Sequence, residues 1–109
     1  MKAQSEVEAG VCGFKATIVA ESHDGQMVML DIRTDCEKNQ RFAAALRGEQ
    51  IDAFREIDPS SEGRIMTETR SLLRGCCAAC VIPVAAFKTM QVAAGLALPQ
   101  DVVIRVSKE

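Results

Sequence analysis

The sequence of 109 residues is 48% hydrophobic and 26% charged, which predicts a single domain over residues 1–109, because a second core would need roughly twice this length. A formal net charge of −2 and the absence of Trp and Tyr argue against nucleic acid as a partner, since phosphate binding needs positive charge and base stacking needs aromatic rings. Five cysteines accompany one histidine. These thiols are the residues in the sequence that indicate a functional site.

Residues 1–10 contain one Lys and no apolar run, which predicts a flexible segment without a signal peptide or membrane span. We therefore expect a cytoplasmic protein with no membrane partner. In a reducing compartment, cysteines serve as free thiols, metal ligands or redox groups more often than as structural disulfides.

Alternating apolar and polar residues predict two strands, over residues 14–21 and 26–33. Because opposed residues share a face, Ile18 is expected opposite Leu30. This register leaves residues 23–25 as a three-residue loop, with Gly25 in the left-handed conformation. The two strands form a β-hairpin.

Caps, glycines and prolines predict the elements that follow the hairpin. Thr34 and Glu37 form a capping box at the first helix, and Asp58-Pro59 starts a later one. The predicted helical segments cover residues 34–47, 51–57, 58–74 and 83–94, and a final strand covers residues 102–106. Placing that strand beside the first one gives an α+β fold with a three-stranded mixed sheet in the order 2-1-3.

Two apolar surfaces predict contacts beyond a single chain. The last helix has only three polar residues, Lys88, Thr89 and Gln91, so most of its surface needs cover. Met27 and Met29 lie on the strand face opposite the expected core. Either surface is a candidate interface of a homo-oligomer.

The hairpin register also positions two cysteines. If it is extended to the sheet edge, Cys12 lies opposite Cys36, at a separation that suits a disulfide or two ligands of one metal ion. Cys36 also falls in the first turn of a helix, where amide donors and the helix dipole attract negative charge.

The other cysteines form one cluster ahead of the last helix. Cys77 and Cys80 make a C-x-x-C pair, and Cys76 precedes them. With the strand order 2-1-3, all five thiols converge at one sheet edge, whereas the opposite order separates them.

Three functions are compatible with this cysteine pattern. Thiolates from Cys12, Cys36, Cys76, Cys77 and Cys80 are candidate ligands of zinc or an iron–sulfur cluster, which soft sulfur donors favour. Cys77 and Cys80 alternatively form a thiol–disulfide redox pair. In the third interpretation the cysteines only pack in a structural or oligomeric protein. Nucleotide-binding, phosphate-binding and serine-hydrolase motifs do not occur in the sequence.

Three short motifs carry a family resemblance: Cys12-Gly13-Phe14, Thr34-Asp35-Cys36, and the run from Cys80-Val81-Ile82-Pro83 through residues 92–99. Through these motifs, most of residues 11–106 resembles an uncharacterised family of small cysteine-containing domains. Because the function of that family is unknown, the resemblance implies no reaction. It singles out Cys12, Cys36 and Cys80 as site residues, ahead of Cys76 and Cys77.

Overall fold

A computed structural model describes residues 1–109 apart from the side chain of Cys76. Within this part of the chain, four strands form one antiparallel sheet in the order β1-β2-β3-β4. In chain order the elements are β1 (Lys2–Glu8), β2 (Lys15–Ser22), β3 (Met27–Thr34), α1 (Glu37–Leu46), β4 (Ile51–Asp52), α2 (Ala53–Glu56), α3 (Arg64–Leu72), a 3₁₀ helix (Gly75–Ala79) and α4 (Val81–Ala93). The α+β class is confirmed.

The helices cover one face of the sheet. Helix α4 packs against β1 and β2, α1 packs against β3, and α3 contacts both helices. Alternation along the strands sends Ile18 and Val28 into the core, where both are fully buried. Met29 lies on the opposite face of the sheet and is 44% exposed. The sequence placed Met27 and Met29 on this face, and no element of the described chain covers it.

The predicted three-stranded mixed sheet with the order 2-1-3 is wrong, because residues 2–8 supply the strand beside β2. The prediction of a flexible segment fails for these residues. Residues 2–8 alternate between inward and outward positions, but the inward residues are only weakly hydrophobic. Of these, Ala3 and Val7 pack at the border of the core. The hydroxyl groups of Ser5 and Thr89 are hydrogen-bonded at 2.7 Å, which ties β1 to α4.

The predicted final strand is also absent. Residues 102–106 have no regular secondary structure and are exposed. Since β1 already occupies the position beside β2, that side of β2 offers these residues no backbone partner.

The β2–β3 hairpin is confirmed, but its register differs by two residues from the prediction. Ile18 lies opposite Ile32, and Leu30 lies opposite Ala20. The connecting loop is longer because Asp24 folds it: the backbone N–H groups of Gln26 and Met27 donate to its carboxylate at 2.9 and 2.8 Å. The same donors lower the pKa of Asp24 below its ordinary value. A shift of two residues preserves the faces, so the predicted core positions stay correct.

Both predicted capping arrangements differ in the structure. Helix α1 begins at Glu37, with Cys36 rather than Thr34 as its N-cap residue. Thr34 instead donates its hydroxyl to the carbonyl of Lys15 at 2.6 Å, which closes the end of the sheet. Helix α3 begins at Arg64 instead of Asp58.

The start of α3 is capped by a distant carboxylate. Glu56, which is 7% exposed, accepts hydrogen bonds from the backbone N–H groups of Arg64 and Ile65 at 2.6 and 2.7 Å. Gly63 leaves room for this carboxylate, because a Cβ at that position would lie 1.7 Å from a Glu56 oxygen. The buried Glu56 side chain is thus hydrogen-bonded to free N–H groups of the first helical turn.

Candidate thiol site

Cys36 lies where β3 ends and α1 begins. It is 8% exposed, and its backbone is extended, which is the usual N-cap conformation. Its carbonyl accepts the first helical hydrogen bond from the backbone N–H of Gln40 at 2.8 Å. The side chain of Cys36 makes no capping hydrogen bond, so its sulfur is available to other partners.

Cys80 has the corresponding position at the start of α4. It follows the 3₁₀ helix, has extended backbone angles and is the N-cap residue of α4. Its backbone N–H donates to the carbonyl of Cys77 at 3.0 Å. The C-x-x-C pair therefore spans the 3₁₀ helix and the first residue of the next helical segment, and Cys80 is partly buried.

Asn39 joins these two cysteines. Its Nδ2 atom lies 3.5 Å from the sulfur of Cys36 and 3.5 Å from the sulfur of Cys80. The two sulfurs are therefore no more than about 7 Å apart. An amide NH₂ group has two donors, so it serves both sulfurs at once when each presents a lone pair.

The amide oxygen of Asn39 has no hydrogen-bond partner in the described chain, although it is buried. Asn39 as a whole is 2% exposed. A buried acceptor without a partner is uncommon, because its desolvation costs about 1–3 kcal/mol. The site thus contains two sulfur atoms and one free oxygen acceptor, all next to the same amide.

Cys12 occupies a turn rather than a helix start. Cys12 is exposed, in the turn between β1 and β2 that Gly10 and Gly13 shape with positive φ angles. The predicted opposition of Cys12 and Cys36 is wrong, since paired residues of β2 and β3 extend only to Ala16 and Thr34.

Cys77 is partly buried in the 3₁₀ helix, and the side chain of Cys76 lies outside the described residues. Within the described residues, no group of three or more Cys, His, Asp or Glu side chains is placed to hold a metal ion. The hydrogen bonds found for cysteine sulfurs in the described part of the chain join Cys36 and Cys80 to Asn39.

Asn39 is a site residue that was not predicted from the sequence. It lies three positions after Cys36, on the inward stripe of α1 that continues with Phe42, Ala43 and Leu46. A polar residue in an otherwise apolar helical stripe is a signal for a buried hydrogen bond, and that signal is present in the sequence.

The fold and the site define a small α+β domain with helices on one face of an antiparallel sheet and two cysteines, one buried and one partly buried, at two helix starts. Over residues 3–106 the chain matches the model of a family of unknown function, DUF6951, and it belongs to that family. The resemblance to an uncharacterised family is thereby confirmed. The chain matches no curated protein and no solved structure. None of the helices in the described chain combines the length and hydrophobicity that crossing a bilayer requires.

Proposed function

We propose that this protein binds a thiophilic metal centre, zinc or an iron–sulfur cluster, with Cys36 and Cys80 as its inner ligands. The observation that carries the proposal is the Asn39 amide, which donates to both sulfurs from a buried position. Metal-bound thiolates are hydrogen-bond acceptors, and outer partners that donate to ligands orient them and tune the metal.

The chemistry of the surroundings supports the same proposal. Both sulfurs lie at helix starts, where free N–H groups and the helix dipole offset the negative charge of thiolates. Cys77 shares a C-x-x-C motif with Cys80, a spacing common among zinc ligands. Cys77 is therefore the third ligand in the proposal, and Cys76 completes a four-sulfur set. Cys12 is not part of this set.

The test is metal analysis of the full chain after anaerobic purification, together with its visible absorption spectrum. We expect stoichiometric zinc, or iron with acid-labile sulfide and a coloured protein. Cys36→Ser and Cys80→Ser are expected to lower metal affinity by at least about tenfold. Cys12→Ser is the matched control, because it makes the same chemical change at an exposed turn, and it should keep the wild-type metal content.

A second measurement needs no substitution. Adding Co²⁺ to the reduced wild-type chain should produce sulfur-to-metal charge-transfer absorption, whose intensity reports the number of thiolate ligands. A folded chain that shows no such absorption and is purified free of metal would overturn the proposal. The proposal also fails if Cys36→Ser and Cys80→Ser bind metal as tightly as Cys12→Ser does.

Thiol–disulfide exchange is the second candidate function, with Cys77 and Cys80 or Cys36 and Cys80 as the pair. It is favoured by the proximity of the Cys36 and Cys80 sulfurs, since both lie 3.5 Å from the same amide nitrogen of Asn39. Two thiols would lose two protons and two electrons to a small disulfide, which is reduced to two thiols. Reversible loss of two thiols on titration with oxidised glutathione, followed by mapping of the bond, would identify the pair.

We place the protein in the cytoplasm. The support is the odd number of cysteines, five, since a disulfide-bonded secreted domain would be left with an unpaired thiol. Secretion of the protein with these cysteines oxidised would contradict the placement.

A further inference from the structure

The segment at residues 102–106 has the composition of a buried strand but is exposed. It consists of Val102, Val103, Ile104, Arg105 and Val106, and the exposed fractions of its aliphatic residues run from 59% to 90%. β-Branched residues favour strands. In the described chain, no backbone hydrogen bond joins residues 97–109 to any other element. The segment is therefore an unpaired strand sequence.

The sheet has a matching unpaired edge. Strand β1, with seven residues, pairs with β2 on one side only, and the sheet order leaves its other side open. On the core face of β1, Ala3 and Val7 are only partly buried, as is Ala85 of α4, which also borders the core. An open edge strand with a half-covered apolar face is normally protected by another strand or by a charged residue.

We infer that residues 102–106 of a second copy of this chain add to β1 as a fifth strand, so that two chains exchange these segments in a symmetric homodimer. Addition of a strand to a sheet edge supplies backbone hydrogen bonds along its whole length. Reciprocal exchange of one element is also a low-cost route to a dimer. The inference involves neither the thiol site nor a metal ion.

Side-chain chemistry favours a particular alignment. In a parallel register, Val102, Ile104 and Val106 lie beside Ala3, Ser5 and Val7 on the core face. On the open face, Asp101 then lies beside Lys2, and Arg105 lies beside Glu6. Opposite charges on neighbouring strands stabilise their pairing, so the same alignment buries the aliphatic residues and pairs the charges.

The first test is the molar mass of the full chain by light scattering over a range of concentrations. We expect twice the chain mass, and a chain truncated after Gln100 should have the mass of a monomer and still unfold cooperatively in urea, which shows that the remaining domain is folded. A full-length chain that stays monomeric at the highest concentration overturns the inference, whether its segment is free or folded back on its own β1.

Two neighbouring residues give a matched comparison. Ile104 and Val103 are equally exposed in the single chain, at 66% each, but the alignment puts Ile104 on the core face and Val103 on the open face. Ile104→Asp should therefore give a monomer, while Val103→Asp keeps the dimer. Equal effects of the two substitutions would contradict the alignment and the inference with it.

The charge pair offers a rescue experiment. Glu6→Arg should weaken the dimer by placing a second positive charge beside Arg105, and adding Arg105→Glu to the same chain should restore it. Failure of the second substitution to restore dimerisation counts against the proposed pairing. Metal content, measured in parallel, should be the same in the monomeric variants, which distinguishes failure of this inference from failure of the proposed metal site.

Discussion

Asn39 is the residue that connects the two cysteine sulfurs of the site. Its NH₂ group has two sulfur acceptors, and its oxygen has no partner among the described residues. Retaining such a residue in the core costs folding free energy, since an apolar side chain of similar size leaves no buried acceptor without a hydrogen bond. This cost is consistent with a residue kept for its effect on the two sulfurs.

Asn39→Leu separates the folding role of this residue from its proposed role at the sulfurs. We expect the free energy of unfolding to change by no more than about 1 kcal/mol, because the substitution removes a free acceptor together with two weak hydrogen bonds to sulfur. Metal affinity should fall by about 10- to 100-fold, the usual effect of losing an outer partner. Urea unfolding and competition with a chelator measure the two quantities.

A second substitution at the same position tests whether the amide donor is the group that matters. Asn39→Asp keeps the size of the side chain but replaces the donor with a carboxylate, so it should also lose metal affinity. If either variant binds metal like the wild type, then Asn39 does not act on the ligands.

At the scale of elements, the start of α3 depends on a carboxylate that another helix supplies. Glu56 ends α2 and caps α3, so the two helices hold each other in place across the loop of residues 57–63. Gly63 has a φ of −86°, an angle open to any residue. Its small size is required by the proximity of Glu56 and not by its backbone conformation.

Gly63→Ala should therefore destabilise the protein, by about 0.5–2 kcal/mol if the new methyl group displaces the Glu56 cap. In a chain that already carries Glu56→Ala, the same substitution should cost nothing or should stabilise, since alanine restricts the unfolded chain at a compatible φ. Chemical denaturation of the four chains in this cycle measures the coupling between the two sites. Additive effects would show that the methyl group and the carboxylate do not conflict.

At the scale of the whole molecule, the thiol site lies where two separately packed helices begin. Helix α1 packs against β3 and α4 packs against β1 and β2, so a ligand shared by Cys36 and Cys80 joins both halves of the helical layer. Binding of this kind stabilises the folded chain through mass action.

If the proposed metal is bound, its removal should accordingly lower the urea midpoint of the whole protein. With free metal at one hundred times its dissociation constant, the stabilisation that a chelator abolishes is about 2.7 kcal/mol. Cys36→Ser is the control chain, and its midpoint should be insensitive to chelator. A wild-type midpoint that is equally insensitive would argue against a metal shared by the two helices.

The hairpin could be predicted from the sequence because its apolar alternation is strong and local. The alternation places Ile18 and Val28 on the correct face, since an error of two residues in register does not change which face a residue occupies. The error does matter at the sheet end, where it produces the pairing of Cys12 with Cys36. The observed register has a longer loop that Asp24 closes with hydrogen bonds, and strand alternation carries no information about that loop.

Features that depend on contacts between distant parts of the chain could not be predicted from the sequence. The residues of β1 alternate, but Ala3 and Ser5 contribute so little hydrophobicity that the strand depends on α4 for its cover. Residues 102–106 have the stronger strand pattern yet are unpaired in the single chain. Cys36 and Cys80 meet because both N-cap positions lie next to Asn39, which requires the packing of α1 and α4 and not merely their sequences.

The hydrogen bond between Ser5 and Thr89, which are 84 positions apart, has a consequence during synthesis. Strand β1 is covered by α4, which is synthesised later, so β1 and the inner face of β2 lack this cover on the ribosome until residue 93 has emerged from the exit tunnel. Because its contacts are local, we expect the β2–β3 hairpin to form before this step and the core to close after it. The chain therefore completes its folding after translation of α4, and the interval before that is when it is most open to aggregation and to chaperones.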